Sequence, residues 1–357
     1  MAGGHRDEGA GGMMAPPNPG PARWCWGRLS WHRQRMQRWL SLLTHRVVAL
    51  GCAVLAAGSL AQQPATPAAG AAPAACPPPL PVQASTAPER DRGLLWRISR
   101  DGRSSWLYGT LHVGKPAWKR LGPQLSAALR SSEVLALEID PSDPALQAAL
   151  QDLQHTGLLP EPLQRRLNQA YARACIAPES MATLHPVLQA TSLMVLEARW
   201  LGMDPSLAME QLLLAQVRGS ARRVVSLETA AQQKAVLVPA DPAEALAALE
   251  QSLAQLEDGS SRRVMARMVA AWERGDLAAL EDYASWCECA NTPEDQAYMR
   301  KLNDERNGPL AAGIEAQHRS GRRVFAAVGA LHMTGPQSLP RLLEGLGFRV
   351  ERVRFGR

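Results

Sequence analysis

Two copies of one short pattern bracket most of this chain. Gly109-Thr110-Leu111-His112 and Gly329-Ala330-Leu331-His332 share the form Gly-x-Leu-His and lie about 220 residues apart. Each follows an apolar run that reads as a β-strand, Ser105-Trp106-Leu107-Tyr108 before the first and Arg323-Val324-Phe325-Ala326-Ala327-Val328 before the second. Each is followed within two or three residues by a glycine, Gly114 or Gly335, and then by a stretch with helical spacing. A strand that runs through a loop into a helix, twice, needs crossover connections and so a sheet that is parallel at least in part. The expected fold is α/β: a mixed, partly parallel central sheet, two similar strand-loop-helix halves carrying the Gly-x-Leu-His motifs, and a large helical insertion between them.

The other elements agree with that frame. Leu94-Leu95-Trp96-Arg97-Ile98 and the strand before Gly109 flank Asp101-Gly102, which predicts a β-hairpin. A helix is expected over 121–129. Val134-Leu135-Ala136-Leu137-Glu138-Ile139-Asp140 reads as a buried strand stopped by Pro141 and Pro144. Helical spacing recurs over 146–153, 163–174, 186–201, 207–217, 243–256 and 264–271. One strand, 223–228, interrupts these helices. A helix over 339–346 and a last strand over 348–353 close the chain.

Of its 357 residues, 46% are hydrophobic and 20% charged, which suits a globular protein. The net charge of +6 is unevenly spread. Residues 1–61 hold seven arginines against two acids, leaving +1 on the remaining 296 residues. The same segment holds an apolar run, 47–60, behind Arg38 and Arg46 and ahead of Ser59-Leu60-Ala61. Charged, apolar and small-residue regions in that order define a cleavable secretory signal, with cleavage expected after Ala61. The run is short for a membrane span, and no stable span is expected after cleavage. Cys52 gives a weaker hint of a lipoprotein site, and Met36 is a second candidate start that would give the signal ordinary proportions. Residues 62–92 are Pro/Ala-rich and read as a tether. The folded domain is then 93–357, placed in the periplasm or secreted.

An oxidising compartment permits disulfides among Cys76, Cys175, Cys287 and Cys289. Spacing does not fix their pairing; a bridge from Cys175 to one of Cys287 and Cys289 is the favoured expectation. Cys287-Glu288-Cys289 lacks the spacer of a zinc knuckle. The short basic pairs, such as Arg222-Arg223 and Arg322-Arg323, precede apolar runs and carry no interleaved aromatics, so nucleic acid is not an expected partner.

In open α/β sheets, ligands bind beyond the carboxyl ends of the strands. His112 and His332 are expected there, with Gly109 and Gly329 letting the backbone turn and approach a ligand or cofactor. Glu138 and Glu228 end apolar strands and can reach the same rim. Two imidazoles with one or two carboxylates suit a hydrolytic metal site. His155, His185 and His318 lack such a frame.

From about Leu94 onward the chain resembles the TraB/GumN family, which includes the TIKI metalloproteases. The resemblance rests on Tyr108-Gly-Thr-Leu-His-Val-Gly114, Leu137-Glu138-Ile139-Asp140, Gly202-Met-Asp204, Leu227-Glu228-Thr229 with Gln232 or Gln233, Arg306-Asn307 and Val328-Gly-Ala-Leu-His332 with Gly335, in that order. It implies the fold shared with erythromycin esterase-like and haem-binding ChaN-like proteins. It also implies a metal-dependent peptidase, with manganese or cobalt as the activating ion and zinc admissible. By that resemblance His112, His332, Glu138 and Glu228 are the metal candidates. Glu138 and Glu228 double as general bases, Arg306 would stabilise an oxyanion, and Asn307 would orient its neighbours. A peptide or protein substrate follows. The alternative is a non-enzymatic envelope protein that binds haem, a metal or a peptide at the same rim; the sequence has no Cys-x-x-Cys-His haem signature. A role in polysaccharide export rests only on the family name.

Overall fold

The computed structural model describes residues 76–80, 89–151 and 159–356. The expected signal segment, Met36, Cys52, the cleavage site and most of the tether lie outside the described residues. Among the described residues no helix is long and apolar enough to cross a membrane.

The first hairpin pairs β1 (Leu94–Arg100) with β2 (Arg103–Thr110). Asp101 and Gly102 carry φ of 51° and 71°. Two consecutive positive φ values match the twist of the strands they join, and Asp-Gly supplies them at low cost. Four further strands complete one sheet: β3 (Val134–Leu137), β4 (Arg223–Ser226), β5 (Val324–Gly329) and β6 (Arg349–Val353). Their order is β4-β3-β5-β2-β1-β6. β2, β5, β3 and β4 run parallel, whereas β1 is antiparallel to both β2 and β6. The sheet is therefore mixed and partly parallel, as expected. β5 lies between β2 and β3, so the two motif-bearing strands are hydrogen-bonded neighbours despite their distance in sequence.

The helices are α1 (Pro123–Arg130), α2 (Pro144–Gln151), α3 (Glu161–Ala174), α4 (Pro186–Leu196), α5 (Met209–Val217), α6 (Ala230–Leu237), α7 (Pro242–Glu257), α8 (Ser260–Glu273), α9 (Leu277–Glu281), α10 (Tyr283–Trp286), α11 (Pro293–Met299), α12 (Glu305–Arg319) and α13 (Leu339–Gly345). Two cores result. The first sandwiches the sheet and includes Leu94, Ile98, Leu107, Leu135, Leu137 and Phe325, all fully buried. Trp272 of α8 packs over the end of β2, donating from Nε1 to the Gly109 carbonyl at 2.8 Å and packing on Trp118. The second core lies inside the insertion, where Leu167 and Tyr171 of α3, Leu193 of α4 and Leu249 and Leu253 of α7 pack together.

Several boundaries differ from expectation. The helix expected over 186–201 changes at Glu197 into a 3-10 turn, Glu197–Leu201. The strands at 134–140 and 223–228 stop at Leu137 and Ser226, which leaves Glu138 and Glu228 just beyond regular pairing. Arg306 and Asn307 lie in the first turn of α12, directly after a π-helical turn, Arg300–Asp304. The disulfides are Cys76–Cys175 and Cys287–Cys289. The expected link from Cys175 to the Cys-x-Cys pair is therefore incorrect. Cys175 ends α3 on the second core, and residue 76 is brought to it from the segment before the sheet.

Candidate functional site

The carboxyl ends of β2, β5, β3 and β4 share one rim because these strands are parallel. His112 follows β2, His332 lies in the 3-10 turn Ala330–Met333 after β5, Glu138 follows β3, and Glu228 follows β4. β3 and β4 stay paired past their ends, with Glu228 N–H donating to the Glu138 carbonyl at 2.9 Å. Four residues spread over 220 positions are thus set side by side by strand order alone.

Arg306 reaches this rim from α12. Nε donates to Glu228 Oε1 at 2.8 Å, and Nη2 donates to Glu228 Oε2 at 2.6 Å and to Glu138 Oε2 at 2.5 Å. Nη1 donates to the Leu302 carbonyl at 3.0 Å and faces His332 Nε2 at 3.3 Å. A guanidinium has five N–H groups, and all five have partners here. None is left for an oxyanion. Arg306 instead joins the two glutamates and neutralises part of their charge. Glu228 Oε2 also accepts from Gln233 Nε2 at 2.6 Å, so both Glu228 oxygens are engaged.

The histidines are tied back in the same way. Asn307 Nδ2 donates to the Gln337 carbonyl at 2.8 Å, which leaves Oδ1 as the acceptor facing His332 Nδ1 at 2.6 Å. The proton of a neutral His332 therefore sits on Nδ1, and its Nε2 lone pair faces the rim. Burial pushes the His332 imidazole below its ordinary pKa, favouring that neutral form. His112 Nδ1 meets Glu210 Oε1 at 3.2 Å. Thr110 Oγ1 donates to the same oxygen at 2.5 Å, while Glu210 Oε2 is buried with no hydrogen-bond partner among the described residues. The Glu210 charge lifts His112 to about 9, so its imidazole carries a proton on both nitrogens at neutral pH. The His112 side chain is 66% exposed, so it is open to a ligand.

Glu138 Oε1 accepts the Gly329 N–H at 2.7 Å. Burial alone would raise the Glu138 carboxyl; the positive charges around it, His112 and Arg306 among them, and this N–H outweigh it and hold it at about 2. A Cβ at Gly329 would lie 3.1 Å from Glu138 Oε1, 3.5 Å from His332 Cδ2 and 3.9 Å from His112 Nε2. Glycine there keeps open a space that three functional side chains border. Gly109 has a different role. Its Cβ would meet Ala330 and Met333 at 3.2 Å, so its lack of a side chain lets the second motif pack against the first.

The donor chemistry suits a divalent ion. His112 and His332 each have Nδ1 held by an acceptor, so Nε2 is the nitrogen left to meet an ion; as placed, the His332 Nε2 faces the Arg306 Nη1 N–H, and the His112 Nε2 would have to give up its proton first. Glu138 Oε1 stands 4.0 Å from His332 Nε2. Glu228 is turned to Arg306 and Gln233 and does not share in this set. As placed, the side chains do not close on an ion: among the described residues no three His, Cys, Asp or Glu side chains form a group that could hold one.

Glu210 is the functional residue that motif reading did not single out. It sits in the apolar stretch of α5 between Met209 and Leu212, both buried. An acid in that setting was the available signal. Its placement depends on Gly114, whose N–H and carbonyl exchange hydrogen bonds with Asp204 at 3.1 and 2.9 Å and bring the start of α5 against His112.

The chain matches the TraB/PrgY/gumN family over residues 94–352, more than half its length, and belongs to that family. No curated protein and no solved structure matches it.

Proposed function

We propose that the chain is an exported hydrolase of the peptidase class that works at this rim with a divalent ion. The observation that carries the reading is the paired arrangement of His112 and His332, each held at Nδ1 with Nε2 turned towards the rim beside Glu138 and the open face of Gly329. His112 Nε2, His332 Nε2 and Glu138 would hold the ion. When bound, such an ion lowers the pKa of a water and polarises a carbonyl.

The chain's own groups do the rest. Glu138 is the carboxylate bordering the space, as ligand or as proton acceptor. Arg306 and Glu228 fix Glu138 from behind and keep the site's charge nearly balanced. Gly329 excludes a side chain that would fill the approach. Asn307 and Glu210 set the two imidazole orientations. Disulfides at Cys76–Cys175 and Cys287–Cys289 support the export part of the reading, because such bonds persist mainly in oxidising compartments. The peptide class and the preference for manganese or cobalt come from family resemblance.

The test is metal content, which reads the site without needing the substrate. Full-length protein reconstituted with manganese or cobalt is expected to retain about one ion per chain after desalting. His112→Ala and His332→Ala should each lose it while keeping a native circular dichroism spectrum. Equal retention by wild type and both folded variants would overturn the assignment.

A further inference from the structure

The Cys287–Cys289 disulfide stands apart from the rim and has no part in the proposed hydrolysis. Its value as a crosslink is small. A disulfide restrains the unfolded chain according to the loop it closes, and this one joins residues only two apart, whereas Cys76–Cys175 spans 99. Closing so small a ring places Glu288 at φ 55°, a left-handed conformation that side chains other than glycine seldom adopt. Glu288 is held there by Arg263, whose Nη2 donates to Oε2 at 2.8 Å.

The surroundings of the two sulfurs favour exchange. Cys287 is buried at 2% exposure, while Cys289 is half-buried and reachable from solvent. The Cys289 backbone N–H points at Cys287 Sγ at 3.1 Å. The Tyr283 hydroxyl lies 3.6 Å from Cys289 Sγ, and since a disulfide sulfur carries no hydrogen the hydroxyl is the donor. Burial pushes the Tyr283 hydroxyl up to about 12, so it remains a donor at neutral pH. Each sulfur therefore already faces one hydrogen-bond donor. Such donors stabilise a departing thiolate, and exchange is faster when the leaving thiolate is more stable.

We propose that Cys287–Cys289 is a thiol–disulfide exchange site that oxidises dithiols. A substrate thiolate attacks Cys289 Sγ; the new bond is a mixed disulfide, and Cys287 leaves as a thiolate beside the Cys289 N–H. The second substrate thiolate then attacks the substrate sulfur of the mixed disulfide and expels Cys289 towards the Tyr283 hydroxyl. The dithiol has become a disulfide. Its two electrons reside on Cys287 and Cys289, which take up the two protons. A disulfide-bearing compound returns the pair to its oxidised form by the reverse steps.

The test uses oxidised full-length protein and limiting dithiothreitol, with samples alkylated over time and mapped by mass spectrometry. Cys76 and Cys175 are both exposed, so exposure alone predicts that their bond opens first. The proposal predicts the reverse, with Cys287–Cys289 opening at least about tenfold faster. It also predicts that oxidised protein converts one equivalent of a reduced Cys-x-x-Cys peptide to its disulfide. Tyr283→Phe should slow release of Cys289 and so prolong the mixed disulfide, without unfolding the protein. Opening of Cys287–Cys289 no faster than Cys76–Cys175, or a peptide left reduced, would overturn the proposal.

Discussion

His112 and His332 are given their direction by the residues at their backs. Glu210 and Asn307 each occupy an Nδ1, so the imidazoles can present only Nε2 to the rim. Partners of this kind typically contribute 10–100-fold to metal affinity. Glu210→Gln and Asn307→Ala are therefore each expected to weaken manganese binding by roughly 10–100-fold in equilibrium dialysis; unchanged affinity would remove them from the site. Arg306 has a different kind of importance. Glu138 and Glu228 side chains are 14% and 2% exposed, and Arg306 is the cation that joins them. Arg306→Met should cost about 3–5 kcal/mol of unfolding free energy in urea, because it strands two buried carboxylates. Arg306→Lys should recover part of that loss, since it keeps the charge without the fork. At this scale the sequence displayed His112, His332, Glu138 and Glu228, because motif and strand end mark them. It did not display Glu210, which acts through a side chain placed by tertiary contacts, nor decide between Gln232 and Gln233, nor show that Arg306 would have every N–H engaged.

Strand ends and turns position these groups, and their requirements can be tested apart from the site. Gly114 allows the loop after β2 to dock on residues 204–207: a Cβ there would lie 1.8 Å from the Leu207 carbonyl oxygen. Gly114→Ala is expected to destabilise by about 1–3 kcal/mol or more and to displace Glu210; a calorimetric transition at the wild-type temperature would contradict this. On the far side of the sheet, His318 of α12 is fully buried. Its Nδ1 meets Ser105 Oγ of β2 at 2.9 Å, and its Nε2 meets the Arg100 carbonyl at 3.1 Å. Burial lowers its pKa below 6.5, helped by Arg103 and Arg100 and opposed by the Arg100 carbonyl and Asp101. The unfolded chain then binds the proton more tightly, so stability is full above about pH 6.5 and falls as pH drops below it. The urea midpoint should fall between pH 7 and pH 5, and fall less in His318→Asn. An equal fall in both proteins would assign the effect elsewhere. The long strands and helices could be read from periodicity. The break at Glu197 and the short helices α9 and α10 could not, because local spacing over four or five residues carries little signal.

The described residues form a sheet domain with a helical insertion that has a core of its own, fastened at Cys175 to the segment that precedes the sheet. Two motifs distant in sequence meet because β5 is inserted between β2 and β3. That adjacency was implied by matching strand-loop-helix halves, but strand order and the antiparallel β6 at the edge come from long-range pairing that no local pattern encodes. The disulfide pairing was illegible for the same reason. Nearly all of the chain's +6 charge lies in residues 1–61, so the rim and not the overall charge carries the functional reading. The most direct measurement is cleavage of a peptide library by full-length protein, followed by mass spectrometry, first after metal removal and then with manganese or cobalt restored. The account predicts new peptide termini only after restoration, and none for His112→Ala. Cleavage at the same rate by metal-stripped protein, or none under any condition, would contradict it.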